Sequence, residues 1–197
     1  MAVLNTGLAT PARGFTIDYS CRFNDGDSAY LSRTPASAGN RRTFTWSAWF
    51  KHGAMDGSFT FISAVDDNLM WQHDSGEPRM VRYEHSADGA IGSVGFSRDP
   101  SAWYHIMWVV DTTDTSPASN KKKLYINGVR FDDTSGGSYG DNNREQSFNN
   151  NTVQYIGSNT TPGGSLFDGY LAEVHMIDGT ALTPSSFGET GDYGEWK

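Results

Sequence analysis

The sequence is poor in the features that hold together secreted or membrane-bound domains. It has one cysteine, Cys21, in 197 residues, so no disulfide can form within the chain. Because many secreted domains depend on disulfides, we expect the chain to fold in a reducing cytosol. No run approaches the roughly 20 apolar residues of a transmembrane helix, and residues 1–7 lack the basic and apolar segments of a signal peptide. We therefore expect no membrane insertion and no signal-directed export.

Basic residues are also scarce. The chain has 15 Lys and Arg against 23 Asp and Glu, a formal net charge of -8. Binding to nucleic acid or to anionic membranes depends on surfaces rich in Lys and Arg, so this balance argues against both partners. Lys121 to Lys123 form the one basic run longer than a pair, and we interpret them as solvated residues at the start of a strand.

Glycine and aromatic residues are abundant, with 22 Gly and 13% Phe, Trp and Tyr. Many tight turns between aromatic-rich segments are typical of a two-sheet β protein. A chain of this length buries about 70% of its unfolded surface as one domain, so it needs no cross-links to build a core.

Alternating apolar residues mark the strongest strands. Residues 43–51 place Phe44, Trp46, Ala48 and Phe50 on one face, and residues 103–111 are apolar on both faces, which predicts a central strand. Asn127-Gly128 predicts a β-hairpin with a type I′ turn, and residues 167–177 form the last long strand. About a dozen strands predict an antiparallel β-sandwich. Its inter-sheet core is predicted to hold Trp46, Trp49, Trp103 and Trp108.

The chain divides into three parts. Residues 1–14 lack periodicity and form an N-terminal arm, a possible docking segment. Residues 15–190 form the β domain, in which Thr183 and Pro184 predict a helical start. Residues 191–197 are a C-terminal tail, whose Trp196 packs against its own domain or against a neighbouring subunit.

Several segments resemble concanavalin A-like domains of the laminin G-like kind. They are residues 42–50 (RTFTWSAWF), 103–110 (WYHIMWVV), 124–128 (LYING), 155–157 (YIG), 167–174 (FDGYLAEV) and 181–184 (ALTP). The resemblance covers most of residues 15–190 in the family's order. It implies an all-β, antiparallel two-sheet jelly-roll sandwich.

A second set of segments is similar to tail-fibre and head-fibre proteins of tailed bacteriophages. It comprises residues 22–24 (RFN), 28–41 (SAYLSRTPASAGNR) and 168–182 (DGYLAEVHMIDGTAL). This similarity implies a structural protein of the virion exterior, a capsid decoration, head-fibre or tail-associated module made in the bacterial cytoplasm. Its partners would be other virion proteins, and homo-oligomers, often trimers, are common in this class.

Two alternatives to pure display remain. One is a lectin-like adhesin that binds host surface glycans, with Trp71, Tyr83, Tyr139 and Tyr193 as candidate stacking residues. The weaker one is a polysaccharide-degrading glycoside hydrolase. Retaining hydrolases need two carboxyl groups about 5–5.5 Å apart, but Glu173 and Asp178 are five positions apart on one strand and face opposite sides. We therefore expect no enzymatic activity.

Metal binding has few candidates. Many laminin G-like domains bind calcium at a loop rim, and Asp66, Asp67, Asp111 and Asp114 lie in turns that could supply such ligands. Aspartates are also common turn residues without any metal. No two histidines have metal-ligand spacing on one element. The sequence also gives no support for a catalytic Ser/His/Asp triad. We expect no cofactor other than the possible calcium.

Overall fold

The computed structural model describes residues 17–55, 57–72, 80–85, 89–94, 97, 99–131, 138–160 and 163–197. The predicted arm, residues 1–14, lies outside these ranges. Within them, no helix has the length and apolar character required to cross a membrane.

Twelve strands in the described residues form two antiparallel sheets, which confirms the predicted all-β two-sheet class. In chain order they are β1 (Cys21–Phe23), β2 (Leu31–Arg33), β3 (Thr43–His52), β4 (Phe59–Ala64), β5 (Asp67–Gln72), β6 (Met80–His85), β7 (Gly89–Val94), β8 (Tyr104–Asp111), β9 (Lys122–Ile126), β10 (Val129–Arg130), β11 (Gln154–Ile156) and β12 (Gly169–Asp178). Sheet A has the order β1-β12-β3-β8-β9-β10, and sheet B has the order β2-β11-β4-β5-β6-β7.

The core lies between the inner faces of the two sheets. Trp46 and Trp108 face each other across the β3–β8 ladder of sheet A, and Trp71 of sheet B is equally buried. Full burial of a large apolar side chain contributes about 1.5–3 kcal/mol. The predicted core tryptophans Trp49 and Trp103 do not belong to this cluster, because Trp49 is on the outer face of β3 and Trp103 precedes β8.

One local prediction, the type I′ hairpin, holds, and β12 has an irregularity that the sequence did not predict. Asn127 and Gly128 have φ of 49° and 76°, as a type I′ turn requires, and Ile126 pairs with Val129 across it. In β12, Ala172 pairs with Trp49 and His175 pairs with Ser47, so β12 has one extra residue. This β-bulge coincides with the positive φ of Glu173, 48°, and it bends the strand away from its ideal register.

The segment after β12, residues 179–197, covers the outer face of sheet A, and we name it the C-terminal strap. Thr45 on β3 anchors its start, since the Thr45 hydroxyl donates to the Thr180 carbonyl (2.8 Å) and accepts the Leu182 N–H (2.9 Å). The Trp196 ring stacks on His105 of β8, with 5.8 Å between centroids. Trp196 therefore packs against its own domain. The predicted helical start is only a 3-10 turn, Pro184–Ser186.

The strap explains why strands β3 and β8 are buried on both faces. Outer-face residues such as Ser47 and Met107 are 1% and 0% exposed. Sheet A is thus a middle layer over this region, between sheet B and the strap.

Candidate functional site

A groove of about 710 Å³ opens between the two sheets, and we name it the inter-sheet groove. It lies where β12, beyond its bulge, faces β2 and β11 of sheet B. Strand β1 pairs with β12 only at residues 169–171, so among the described residues no strand covers the edge of β12 beyond the bulge. Its size is within the range of small-ligand sites, about 300–1,000 Å³.

The groove has an apolar floor and a polar rim. Its apolar lining includes Leu31, Trp46, Ile62, Ile156, Val174 and Met176, and its polar lining includes Ser32, Arg33, Ser37, Asn149, Gln154 and Asp178. Leu31 is 52% exposed and Val174 is 36% exposed. This mixture of apolar surface and convergent polar groups is typical of ligand sites.

Asp178 closes one end of the groove. Its Oδ1 accepts the Asn40 N–H (2.7 Å) and the Asn149 side-chain N–H (3.1 Å). Gly39 approaches so closely that a Cβ there would lie 2.6 Å from Asp178 Oδ2. The absence of a side chain at Gly39 therefore allows the loop before β3 to form the groove wall.

Three hydrogen-bond donors in the groove have no acceptor among the described residues. Trp46 Nε1 and Gln154 Nε2 are buried without a hydrogen-bond partner. The Arg33 guanidinium, on the edge strand β2, makes no ion pair or hydrogen bond with the described chain. The two buried N–H groups are closed off from the groove opening, so of these donors only the exposed Arg33 guanidinium is accessible to a ligand.

The predicted stacking residues are elsewhere. The prediction is wrong for Trp71 and Tyr83, which are 0% and 1% exposed because their strands direct them into the core. Trp71 stacks on Phe59 at 4.8 Å, and Tyr83 stacks on Trp108 at 4.7 Å. Tyr139 is half-buried against the core, and Tyr193 is 87% exposed in the C-terminal strap.

The structure does not gather the calcium candidates into a cage. Asp66 is exposed and Asp67 is fully buried. Asp111 Oδ1 accepts the backbone N–H and the hydroxyl of Thr113, which is an ordinary turn interaction. Within the described ranges, no three His, Cys, Asp or Glu side chains group together as metal ligands.

Asp67 instead anchors a buried polar cluster. The Tyr83 hydroxyl donates to Asp67 Oδ1 (2.5 Å), and the Ser147 backbone N–H donates to Asp67 Oδ2. Burial raises the pKa of the Asp67 carboxyl above its ordinary value, while the hydrogen bonds from Tyr83 and Ser147 and the charges of His85 and Lys122 act to lower the pKa. The cluster ties the loop around Ser147 to sheet B.

Two lysines of the run at residues 121–123 lie near this cluster. The prediction that the run is solvated is wrong for both of them, Lys121 and Lys122. They are 5% and 0% exposed. Lys121 Nζ donates to the Gly140 carbonyl and to Asn142 Oδ1. Lys122 Nζ lies 4.7 Å from the centroid of the Tyr83 ring. Lys121 thus ties the loop from residue 138 onwards to the start of β9, and Lys122 on sheet A packs against Tyr83 on sheet B.

A second polar group lies under the C-terminal strap and was missed at the sequence level. Ser47 Oγ and His105 Nε2 are 2.8 Å apart, and Glu173 and His175 line the same cavity of about 200 Å³. Burial, and secondarily the charge of His175, lower the pKa of His105 to about 4. His105 is therefore neutral at pH 7, and Ser47 is only 1% exposed.

The two carboxylates considered for hydrolysis are on opposite faces of sheet A, as their spacing predicts. Glu173 lines the cavity under the strap, whereas Asp178 lines the inter-sheet groove. They cannot flank one glycosidic bond.

Comparison with known families agrees with this architecture. Residues 24–186 match the family model described as the concanavalin A-like lectin/glucanases superfamily. The chain belongs to this superfamily. No curated protein sequence matches this member of the superfamily.

Solved structures with the same fold share little sequence with this superfamily member. The heptameric SAP-like pentraxin from Limulus polyphemus is 16% identical, with a TM-score of 0.52 and coverage of 78% of this chain and 71% of the pentraxin. Domain 4 of the arabinanase from Geobacillus stearothermophilus, in complex with arabinotriose, is 22% identical, with a TM-score of 0.50 and coverage of 76% and 66%.

A phage protein is also among the structural neighbours. The enzymatically active domain of tailspike protein 2 from bacteriophage CBA120 is 13% identical, with a TM-score of 0.55. The match covers 81% of this chain but only 25% of that domain. At these identities the likeness shows a shared fold.

Proposed function

We propose that the protein is a non-catalytic carbohydrate-binding module displayed on the exterior of a bacteriophage particle. The inter-sheet groove is the observation that carries the binding part of this proposal. Its apolar floor can cover the faces of a sugar, and its rim offers amide, hydroxyl, guanidinium and carboxylate groups for sugar hydroxyls. The lectin-containing superfamily and the arabinotriose complex of a neighbour support the same ligand class.

Display on a phage particle is supported by different observations. The segments at residues 22–24, 28–41 and 168–182 are similar to phage fibre proteins, and a phage tailspike has the same fold. Tyr30, next to the groove, and Leu31, which lines it, are exposed apolar residues that offer a surface for neighbouring virion proteins or for a second copy of the chain.

A binding role accounts for the chemistry better than catalysis does. Glu173 and Asp178 are on opposite faces, and Ser47 and His105 are sealed under the C-terminal strap. Among the described residues the groove has a single lining carboxylate, Asp178, which already accepts two N–H groups.

Glycan binding is tested with a variant that fills the groove. Ala38 is exposed and lines the groove, so Ala38→Trp should block it without disturbing the core. On an array of bacterial surface polysaccharides, the natural protein should bind and Ala38→Trp should not. Ala36→Trp is the matched control, because Ala36 is exposed in the same loop but does not line the groove.

Two results would reject the groove as the binding site. One is the absence of binding to every glycan at high protein concentration, and the other is equal loss of binding in both tryptophan variants. Display is tested separately by antibody labelling of intact phage particles. Label that appears only after particles are disrupted would contradict an exterior position.

A further inference from the structure

We infer that residues 15–20 extend strand β1 along the free edge of β12 and close the inter-sheet groove, so that the groove has an open and a closed form. The structure has the open form, in which β1 begins only at Cys21. This inference goes beyond the proposed carbohydrate binding, because it concerns access to the groove and can be tested without any glycan.

The sequence ahead of β1 has the pattern of a longer strand. From residue 15 to residue 23 (FTIDYSCRF), apolar residues or cysteine alternate with polar ones. Period-two alternation along a strand places Phe15, Ile17 and Tyr19 on the same face as Phe23. Phe23 is 2% exposed and belongs to the inter-sheet core. A longer β1 would therefore direct these apolar side chains into the space between the sheets.

The observed pairing ends before this pattern does. Within the described residues, β1 pairs with residues 169–171 of β12 and no further, and residues 17–20 do not belong to a strand. The pairing ends next to the β12 bulge at Glu173, and a bulge interrupts the ladder locally. Tyr19 remains 89% exposed as a result.

The free edge of β12 offers the backbone partners for such a strand. The Gly179 N–H donates to the Thr43 carbonyl (3.0 Å), so by alternation along an antiparallel ladder the backbone groups of Met176 and Asp178 face away from β3. Unpaired backbone groups at a sheet edge are a template for another strand. Because β1 is antiparallel to β12, the chain ahead of β1 can run beside residues 174–178.

The register of this extension brings apolar residues together. Counted from the observed β1–β12 pairs, and with one residue of β12 skipped at the bulge, Tyr19 lies opposite Val174 and Ile17 lies opposite Met176. Val174 and Met176 line the groove. The closed form thus packs Tyr19 and Ile17 against the apolar floor, where they exclude a sugar.

The energetic terms of closure oppose each other. Closing the groove fixes the backbone and side chains of residues 15–20, which costs conformational entropy. The gains are the burial of apolar surface, chiefly that of Tyr19, and new backbone hydrogen bonds to β12. The two forms therefore interconvert, and a ligand that binds only the open form loses affinity in proportion to the closed fraction.

Disulfide trapping tests the closed form. In a Cys21→Ser background, Ile17→Cys and Met176→Cys should form a bond within one chain, because opposed residues on paired strands lie about 5.5 Å apart at Cα, within disulfide geometry. Asp18→Cys with Met176→Cys is the matched control, since Asp18 faces the other side of the strand. Under mild oxidation the first pair should cross-link at least about tenfold faster than the control, whose Cβ atoms point apart.

Hydrogen exchange tests closure in a chain without added cysteines. Tyr19→Asp should hold the groove open, and Ser20→Asp is the matched control, because it adds the same charge at a neighbouring exposed residue of the opposite face. Relative to the natural protein, the Met176 and Asp178 amides should exchange at least about twofold faster in Tyr19→Asp, the factor for a closed form populated half of the time. Their exchange should be unchanged in Ser20→Asp.

The possible outcomes separate this inference from the proposed function. Equal cross-linking of the two cysteine pairs, or equal exchange in Tyr19→Asp and Ser20→Asp, would overturn closure whatever the groove binds. A disulfide that joins two chains would also overturn it, since a second copy would then supply the strand.

Glycan binding by the trapped protein adds a further readout. Oxidation of the protein with Ile17→Cys and Met176→Cys should abolish its glycan binding, and a reducing agent should restore it. Glycan binding that survives complete cross-linking would overturn the inference that closure blocks the groove. If neither the reduced nor the natural protein binds any glycan, the proposed function is rejected, while the cross-linking and exchange results still decide closure.

Discussion

At the scale of single residues, His105 shows how the outer layer of the fold determines a side chain's chemistry. Its position on β8 directs it away from the inter-sheet core, to the outer face of sheet A. The C-terminal strap covers it, and burial lowers the pKa of His105 to about 4. A polar residue on the outer face of sheet A is therefore buried, between that sheet and the C-terminal strap.

This burial makes the stability of the fold depend on pH. Because the folded-state pKa lies below the ordinary value of 6.5, the neutral ring is favoured in the folded protein. The contribution of the neutral His105 ring to the free energy of unfolding is complete above pH 6.5 and is lost as pH falls towards 4. The pKa shift corresponds to a total of about 3 kcal/mol. Urea unfolding from pH 7.5 to 4 should show this loss in the natural protein and not in His105→Gln.

The comparison of the two proteins removes other sources of pH dependence. The difference between their free energies of unfolding isolates the contribution of His105. Parallel pH curves for the natural protein and His105→Gln would show that the ring is not buried as described.

At the scale of elements, the C-terminal strap depends on two glycines that allow Trp196 to lie flat on sheet A. A Cβ at Gly128, in the β9–β10 turn, would lie 2.4 Å from the Trp196 ring, and one at Gly188 would lie 2.8 Å from it. Gly128 also has a positive φ of 76°, which a side chain disfavours. The hairpin turn and the strap are therefore coupled through one aromatic ring.

A double-mutant cycle tests this coupling. Gly128→Ala should destabilise the natural protein through both backbone strain and the clash with Trp196. In the Trp196→Ala background only the strain remains, so the same change should cost less, with a coupling of about 1–3 kcal/mol by chemical denaturation. Additive effects of the two substitutions would show that the strap does not rest on the turn.

The β12 strand illustrates a different element-scale effect. Its bulge adds one residue at Glu173, so that Val174 and Asp178 reach the groove while Glu173 and His175 line the cavity under the strap. One extra residue in this strand thus supplies side chains to two separate sites.

At the scale of the whole molecule, buried lysines contribute to the contact between the long loop and the sandwich. Lys121 binds loop oxygens from Gly140 and Asn142, and Lys122 lies over Tyr83 beside the buried Asp67. An ammonium group can bridge oxygens without any bound ion. We therefore expect stability that does not depend on calcium.

Thermal unfolding checks this expectation. Calcium and EDTA should each leave the Tm unchanged. Lys122→Met should lower stability by about 1–2 kcal/mol, since it removes a buried ammonium group from the face of the Tyr83 ring. Lys123→Met is the matched control in the same strand, because Lys123 is only half-buried, and its effect should be small. A rise in Tm on adding calcium would contradict the expectation.

The sequence by itself determined the two-sheet fold, the central strands and the type I′ hairpin. These depend on local rules, namely period-two alternation in residues 43–51 and 103–111 and the positive φ that Asn127 and Gly128 tolerate. The opposite faces of Glu173 and Asp178 also followed from spacing along one strand.

The tertiary structure alone decided which aromatic residues and charges are accessible. Period two assigns Trp71 and Tyr83 to a face of a strand, but only the pairing of β5 and β6 and the position of sheet A show that this face is the core. Lys121 and Lys122 look solvated in sequence because their partners, near Gly140 and Asp67, are distant along the chain. The groove joins Arg33, Trp46, Gln154 and Asp178 from four separate strands, and no local pattern can express contacts that form only when the sheets pack together.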